Sequence, residues 1–502
     1  MGLENKYKKY TLLSFWVIAI SLVIYVLYIY PQPGVADQGD FDRVMGPAGI
    51  ELLDSDKNNP DFKRFFQYTV TDYKIVDLNS HQMLSGFSTS SMVYLIRFIC
   101  IICRLFRQGI FKTGYLAAVY AVIYIFSIFT ILRCMTYKNK ISLLVTVLLS
   151  IFVFFDGNYL VWFNSLYGEP MMISTLLLYG AAWLHYIYYV KGLKRDNKLF
   201  LRIMFIIIAA FLFLGSKLQV ITALPVIMVM VGGVLWDNRA KLKRSEAVLL
   251  LGLYILLIIY PIRMNHFSKA LSQDTNYNSV FYGILKDSNT PEKDLMDLGL
   301  NPDMAIEAGK HSYLPSSEYA KYAPHTAITA QEFYSKMSNV KLVSFYLKHP
   351  LRLIKGMQYT AEKAFYTSTG LGKYSRSYSQ EPISEFNRFT FWSSIREGKL
   401  PRRLSFIILV YILVFSVTLN IYIKNRYKEE LKGKIQLLWA LMLIGMLQFP
   451  MPYVGNGEAD TAKQLYLFNF IFDIMLLVSV IWLANKLVSL IEKLKFKNRK
   501  YE

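Results

Sequence analysis

Uninterrupted apolar runs of about 20 residues, long enough for a helix to cross the roughly 30 Å hydrocarbon core of a bilayer, constrain this chain more than any other feature. Ten such runs stand near 11–30, 114–134, 141–157, 171–190, 199–215, 219–236, 246–262, 404–423, 435–450 and 464–487. Lipid offers no partner to a backbone N–H or C=O, so each run must satisfy its own backbone, which a helix does within one segment. The expected fold class is therefore an all-α polytopic membrane protein with about ten transmembrane helices. A soluble globular enzyme is excluded. The first run follows Lys6, Lys8 and Lys9 as a signal peptide would, but it extends to about 20 residues and no small-residue cleavage site follows. We read it as an uncleaved first span.

Charge sets the orientation. Only 18% of the residues are charged, yet the formal net charge is +21, which suits nucleic acid, an anionic surface or a topological bias. The positions decide between them. The segments Lys6–Lys9, Arg133–Lys140, Lys191–Lys198, Arg239–Arg244, Lys424–Lys434 and Lys493–Lys500 hold 24 Lys and Arg, whereas the three short loops on the opposite side hold only Lys217 and Lys463. By the positive-inside rule those segments face the cytoplasm. Both termini are then cytoplasmic, nucleic acid drops out as a partner, and two long segments, about 31–113 and 263–403, lie outside. The domain division that follows is 1–262, 263–403 and 404–502. This sidedness requires 91–106 (SMVYLIRFICIICRLF), with Arg97 and Arg104 inside it, to be an amphipathic helix along the interface and not a span. Phe345–Met357, where Leu, Ile and Met alternate with Lys348, Arg352 and Lys355, suits the outer leaflet's headgroups in the same way.

The three cysteines are Cys100, Cys103 and Cys134. The first two form a CxxC in an apolar helix with no second pair and no nearby His, so they read as packing residues, not as a zinc or redox site.

Chemistry is best sought among polar groups that the topology gathers at the outer boundary, where ionisable side chains cost energy unless they are used. Four clusters qualify. The first is Asp37-Gln-Gly-Asp40-Phe-Asp42-Arg43, whose carboxylates suit a general base or a divalent-cation ligand, or a solvated acidic turn. The second runs from Asp156 to Pro170 and carries Asn164, Tyr167 and Glu169. Glu169 precedes a proline suited to a helix's first turn, and the aromatic density fits either a sugar-binding surface or an interfacial belt. The third is the turn Gly215-Ser-Lys217-Leu-Gln219, where Lys217 either snorkels or holds a phosphate as a point charge. The fourth is Asn456-Gly-Glu458-Ala-Asp460-Thr-Ala-Lys463-Gln464, with Asp460 and Lys463 three apart on one helical face.

A first span, a long outer loop with an acidic motif and a juxtamembrane amphipathic helix, a second outer acid and a later outer domain together resemble the GT-C superfamily of integral-membrane glycosyltransferases. The strings GDFDRVM (39–45), FYGILKDSNTPEKDLMDLGL (281–300) and GNGEADTAKQLYLFN (455–469) are also similar to bacterial hexosyltransferases of surface-glycan or S-layer-glycan biosynthesis, of the WsfD kind. The resemblance implies a polyprenyl-phosphate-linked sugar donor, a cell-surface glycan acceptor and work on the outer face of the bacterial cytoplasmic membrane. It implies a base or acceptor-positioning role for Asp40 first and Asp42 second, and it places the second-loop acid at Glu169. That superfamily's usual residue there is Asp, so the Glu leaves metal use open: Mg or Mn, if used, would sit at Asp40 and Glu169.

A phosphate at headgroup depth needs cations, for which Lys217 and Lys463 are expected, and Gln219 is expected to join them in binding it. Arg43, Asn164, Tyr167, Glu458 and Asp460 are expected to line the substrate site. Membrane lipid and the synthase that makes the lipid-linked donor are the other partners implied. Two other classes compete. A transporter or flippase predicts broken helices and midspan charge, yet His185 is one of the few polar groups in the runs. A polymer ligase using diphosphate-linked glycans would lean on outer arginines such as Arg263, Arg376, Arg402 and Arg403.

Overall fold

The computed structural model describes residues 2–57, 67–268 and 272–498. Among these residues, eight helices are long and apolar enough to cross a membrane, and a ninth span is counted if the pair Lys140–Phe154 and Gly157–Phe163, bent by 52°, is taken together. The chain is thus a polytopic all-α membrane protein. The tenth expected run, 199–215, forms the helix Leu199–Leu214 of 16 residues. At a 1.5 Å rise it is about 24 Å long, short of the bilayer core. Its end is set at Gly215, where the chain turns toward Lys217 and a short 3-10 segment, Leu218–Ala223, opens the next span.

The 91–106 segment becomes a 14-residue helix, Met92–Leu105, about 21 Å long and too short to span. Phe98, Ile101 and Leu105 are exposed on it, whereas Ile96, Ile99 and Cys103 are buried. Its arginines are not idle in the apolar phase. Arg97 donates to the Pro47 carbonyl (2.7 Å) and Arg104 pairs with Asp77 (2.9 Å), so both tie the helix to the first outer loop. All three cysteines are free and buried. Of the basic segments, the end of Lys493–Lys500 lies outside the described residues.

One element escapes the sequence reading. The first outer loop holds a three-stranded antiparallel sheet of Ile50–Leu52, Asp72–Ile75 and Ile110–Lys112, in the register Ile50↔Ile75 and Tyr73↔Phe111. Ile50, Tyr73 and Phe111 form its buried side. Strands of three or four residues are too short to display an alternation that distinguishes them from loop.

The apolar core has three parts. The largest joins the spans to the first outer loop, a second lies within 277–346, and a third joins Ala361–Phe365 to the helices Leu404–Lys424 and Tyr466–Asn498. The amphipathic piece 345–357 is interrupted at His349 into helices Asn339–Lys348 and Pro350–Glu362. Pro350 occupies a first-turn position, where its missing N–H costs nothing. Leu347, Leu351 and Ile354 are exposed there, but Arg352 and Lys355 pair with Asp294 (2.6 Å) and Asp287 (3.1 Å) of the same outer segment.

Candidate functional site

The acidic motif after the first span is folded by its own first carboxylate. Asp37 is buried, and its Oδ1 accepts the backbone N–H groups of Gly39 (2.8 Å), Asp40 (2.9 Å) and Phe41 (3.2 Å). Gly39 takes φ +90, a conformation that favours glycine. Burial lifts the Asp37 carboxyl to about 6 even though the three N–H groups pull the other way. The turn presents Asp40 to Lys463, a residue more than 400 positions away. The Lys463 ammonium lies 2.9 Å from Asp40 Oδ2, 3.0 Å from Gln38 Oε1 and 4.0 Å from Asp460 Oδ2. Gln38 Nε2 donates to Asp460 Oδ1 (3.2 Å), and Arg43 Nη1 stands 3.5 Å from Asp40 Oδ1.

A second carboxylate and lysine meet nearby. Glu169 is the first residue of helix Glu169–Tyr186, followed by Pro170, so its carboxylate sits at the positive end of the helix dipole. Its side chain is fully buried; Oε1 is 2.5 Å from Lys217 Nζ, and Oε2 has no hydrogen-bond partner. Gly168 permits this approach, because an added Cβ would stand 3.1 Å from the Ser216 carbonyl oxygen. Ser90 and Ser91, just ahead of the interfacial helix, brace the same turn by bonds to the Ser216 and Gly215 carbonyls (2.8 and 2.7 Å).

Tyr167 stands between the two pairs. Lys463 lies 5.3 Å from its ring centroid, Phe41 packs edge-on at 4.9 Å, and its hydroxyl donates to the Ala36 carbonyl (3.1 Å). The charges act on one another. Burial alone would raise the Asp40 carboxyl, but Lys463, Lys217 and Arg43 together bring it down to about 2. Burial alone would lower Lys463, but Asp40, Asp460 and Glu169 hold it above the ordinary lysine range. Two carboxylates and two ammonium groups thus form one electrostatic unit at one end of the bundle.

Residues 3–502 match the family described as the YfdI N-terminal transmembrane domain. The chain belongs to this family. No curated protein and no solved structure matches it.

Asp40, Arg43, Tyr167, Glu169, Lys217, Asp460 and Lys463 are gathered in this way in the present member of the family. The other candidates stand elsewhere. Asp42 opens the short helix Asp42–Ala48 and is exposed. Asn164 is buried and donates to the Leu27 and Pro33 carbonyls (3.0 and 2.9 Å), which fastens its loop to the end of the first span. Gln219 bonds Gln448 Oε1 (3.1 Å) and the Gln464 carbonyl (3.2 Å) at a junction of helix ends. Glu458 pairs with Lys286 of the second outer segment. The two positions named for a divalent cation, Asp40 and Glu169, each face a lysine, and among the described residues no group of three His, Cys, Asp or Glu could hold a metal.

Two sets of residues were missed. Gln38 bridges Lys463 and Asp460; its place inside the acidic motif was the available signal. A separate cluster joins Asp473 to Arg396 (2.6 Å), Tyr159 (2.7 Å) and Trp392 (2.7 Å), with Asp473 and Arg396 fully buried. Asp473 lies in an apolar run, and nothing in the sequence pairs it with an arginine of the outer segment.

Proposed function

We propose that the protein is a membrane hexosyltransferase with a GT-C-like arrangement, moving a sugar from a polyprenyl-phosphate donor to a cell-surface glycan on the outer face of the bacterial cytoplasmic membrane. In this reading both termini are cytoplasmic, and Leu199–Leu214 completes ten passes. The observation that carries it is the joining of Asp40–Lys463 and Glu169–Lys217 into one partly open unit at one end of the bundle. A polyprenyl phosphate keeps its chain in lipid and its phosphate at headgroup depth, where Lys217 and Lys463 supply the positive charge.

Paired with Lys463, Asp40 is a poor base, since a carboxyl held near 2 accepts protons weakly. A donor phosphate competes for Lys463 and returns Asp40 toward the ordinary carboxylate range. Asp40 then takes the proton of an acceptor hydroxyl as that oxygen attacks the anomeric carbon. The bond from that carbon to the phosphate oxygen breaks with its electron pair, and polyprenyl phosphate leaves with inversion. Glu169 keeps Lys217 in place, and the aromatic wall of Phe41, Trp162 and Tyr167 limits water.

The bend at Asp156 is the feature that favours a carrier. Its carboxylate is occupied by the backbone N–H groups of Asn158 (3.0 Å) and Ser393 (2.9 Å), as a structural corner would be. Of the outer arginines expected of a polymer ligase, Arg402 stacks on Tyr366 and Arg376 on Tyr68.

The test is a transfer assay in detergent with a panel of polyprenyl-phosphate hexoses, with and without Mg²⁺ or Mn²⁺. Release of polyprenyl phosphate that requires Asp40 is the expected result. Unchanged turnover in both Asp40→Asn and Asp42→Asn, or consumption of diphosphate-linked glycans alone, overturns the reading.

A further inference from the structure

We propose that Tyr313, backed by His311 and Tyr282, forms a saccharide subsite at the outer rim of the Asp40–Lys463 site, where a pyranose ring of the acceptor docks. This rests on the hexosyltransferase reading and adds the acceptor side, which that reading leaves without residues.

The position is the first argument. Tyr313 follows Ser312, whose N–H bonds Asn278 Oδ1 (2.7 Å), and Asn278 bonds Asn456 of the loop that carries Asp460 and Lys463 (2.9 Å); burial first, and then the charges of Asp460, Asp274, Lys463 and Asp40, act on its hydroxyl.

The second argument is shape. Most large aromatic side chains near the site are sealed, among them Trp162, Tyr167 and Tyr466, whereas Tyr313 is 55% exposed. The rings continue inward in a row: His311 lies 5.9 Å from Tyr313, and Tyr282 lies 5.2 Å from His311.

The third is rigidity. The Gly309 N–H bonds the Phe281 carbonyl (2.8 Å), the Ser312 N–H bonds Asn278 Oδ1 (2.7 Å), and the Tyr319 hydroxyl bonds the His311 carbonyl (2.6 Å). Asn278 is itself held by Asn456 of the loop that carries Asp460 and Lys463 (2.9 Å). The rim is thus fixed to the charged unit before any ligand arrives, and a preorganised site loses less entropy on binding.

The chemistry of the ligand follows from the combination. The C–H face of a pyranose packs on an aromatic ring while its equatorial hydroxyls donate to carboxylates. Here Asp460, with a side chain 26% exposed beside Lys463, and Asp274, 30% exposed beside His325 (2.8 Å), are the acids whose charges act on Tyr313. An apolar partner would leave the two acids unsolvated. A neutral saccharide satisfies both.

The experiment is saturation-transfer NMR on the full chain in lipid nanodiscs, with maltotriose, cellotriose, chitotriose and mannotriose as probes and no donor present. We expect transfer from aromatic protons to ring protons of at least one probe, retained in Tyr313→Phe and reduced about fivefold in Tyr313→Ala. No transfer to any probe, or undiminished transfer in Tyr313→Ala, overturns the subsite. The two readings fail separately. Donor consumed without saccharide contact removes the subsite alone, whereas saccharide contact without donor consumption removes the hexosyltransferase reading and leaves the subsite standing.

Discussion

Two clusters of opposite charge join distant parts of this chain, and they differ in one respect. Arg396 and Asp473 are both fully buried, and the guanidinium is used up: Nε donates to the Phe365 carbonyl (2.9 Å), Nη1 to Asp473 and Tyr159, and Nη2 to Thr367. Asp40 and Lys463 make an equally direct pair but keep side chains 27% and 10% exposed, and Arg43 beside them is 45% exposed. An idle carboxylate oxygen does not separate the clusters, because Asp473 Oδ1 and Glu169 Oε2 both lack partners. Access does. A sealed ion pair acts as a fastening, whereas a pair with open edges can exchange its partner for a ligand.

The contrast is broken most severely at the fastening. Arg396→Ala strands a buried carboxylate, and losing one partner of such a pair costs about 3–5 kcal/mol. The expected outcome is a sharply lower thermal midpoint in detergent; a midpoint equal to the wild type would remove the distinction. At the open pair the order of effects reverses. Asp40→Asn should reduce transfer by about 10²–10⁴-fold, the usual contribution of a general base, with the thermal midpoint nearly unchanged. Equal loss of activity and stability would make Asp40 a second fastening.

The inner pair provides a sharper test. The double variant Glu169→Gln, Lys217→Gln removes both charges together and so avoids a stranded buried carboxylate. Loss of a charge-assisted contact to the donor phosphate should raise KM for the donor about tenfold or more. If kcat falls and KM does not, Lys217 serves the transition state and not donor binding.

The smallest effects concern pH. Asp37 is raised from 3.8 to about 6, so the folded state holds this proton more tightly than the unfolded one. Its contribution is present below about 4 and is lost as pH rises through 6. The midpoint should fall over that interval in the wild type and lose this slope in Asp37→Asn, whose amide oxygen can still accept the three N–H groups. Asp40 has the opposite sign. Its folded value near 2 makes the pair's stabilisation present above about 4 and lost only as pH falls through 2, and partial exposure keeps that contribution small. A titration of stability from about pH 2 to about pH 8 follows both.

Much of this could be read from the chain. The spans declare themselves because lipid imposes one length and one composition on every crossing. The short helix Met92–Leu105 was legible from its two arginines and short run, and the acidic motif, Glu169, Lys217 and Lys463 were legible as polar groups between apolar runs. The sheet of the first outer loop was not, since three-residue strands carry no period. Gln219 and Glu458 were placed with the donor and substrate by sequence neighbourhood, yet their side chains turn to Gln448 and Lys286.

The sequence by itself determined which segments form long apolar helices and where the polar residues between them fall, because hydropathy and charge bias are properties of local stretches. Only the tertiary structure decided which acid meets which lysine, that Gln38 belongs beside them, and that Arg396 closes on Asp473. Such pairings join residues up to hundreds of positions apart, and they are selected by helix packing and by the cost of leaving a buried charge alone, neither of which is written in any one stretch of the chain.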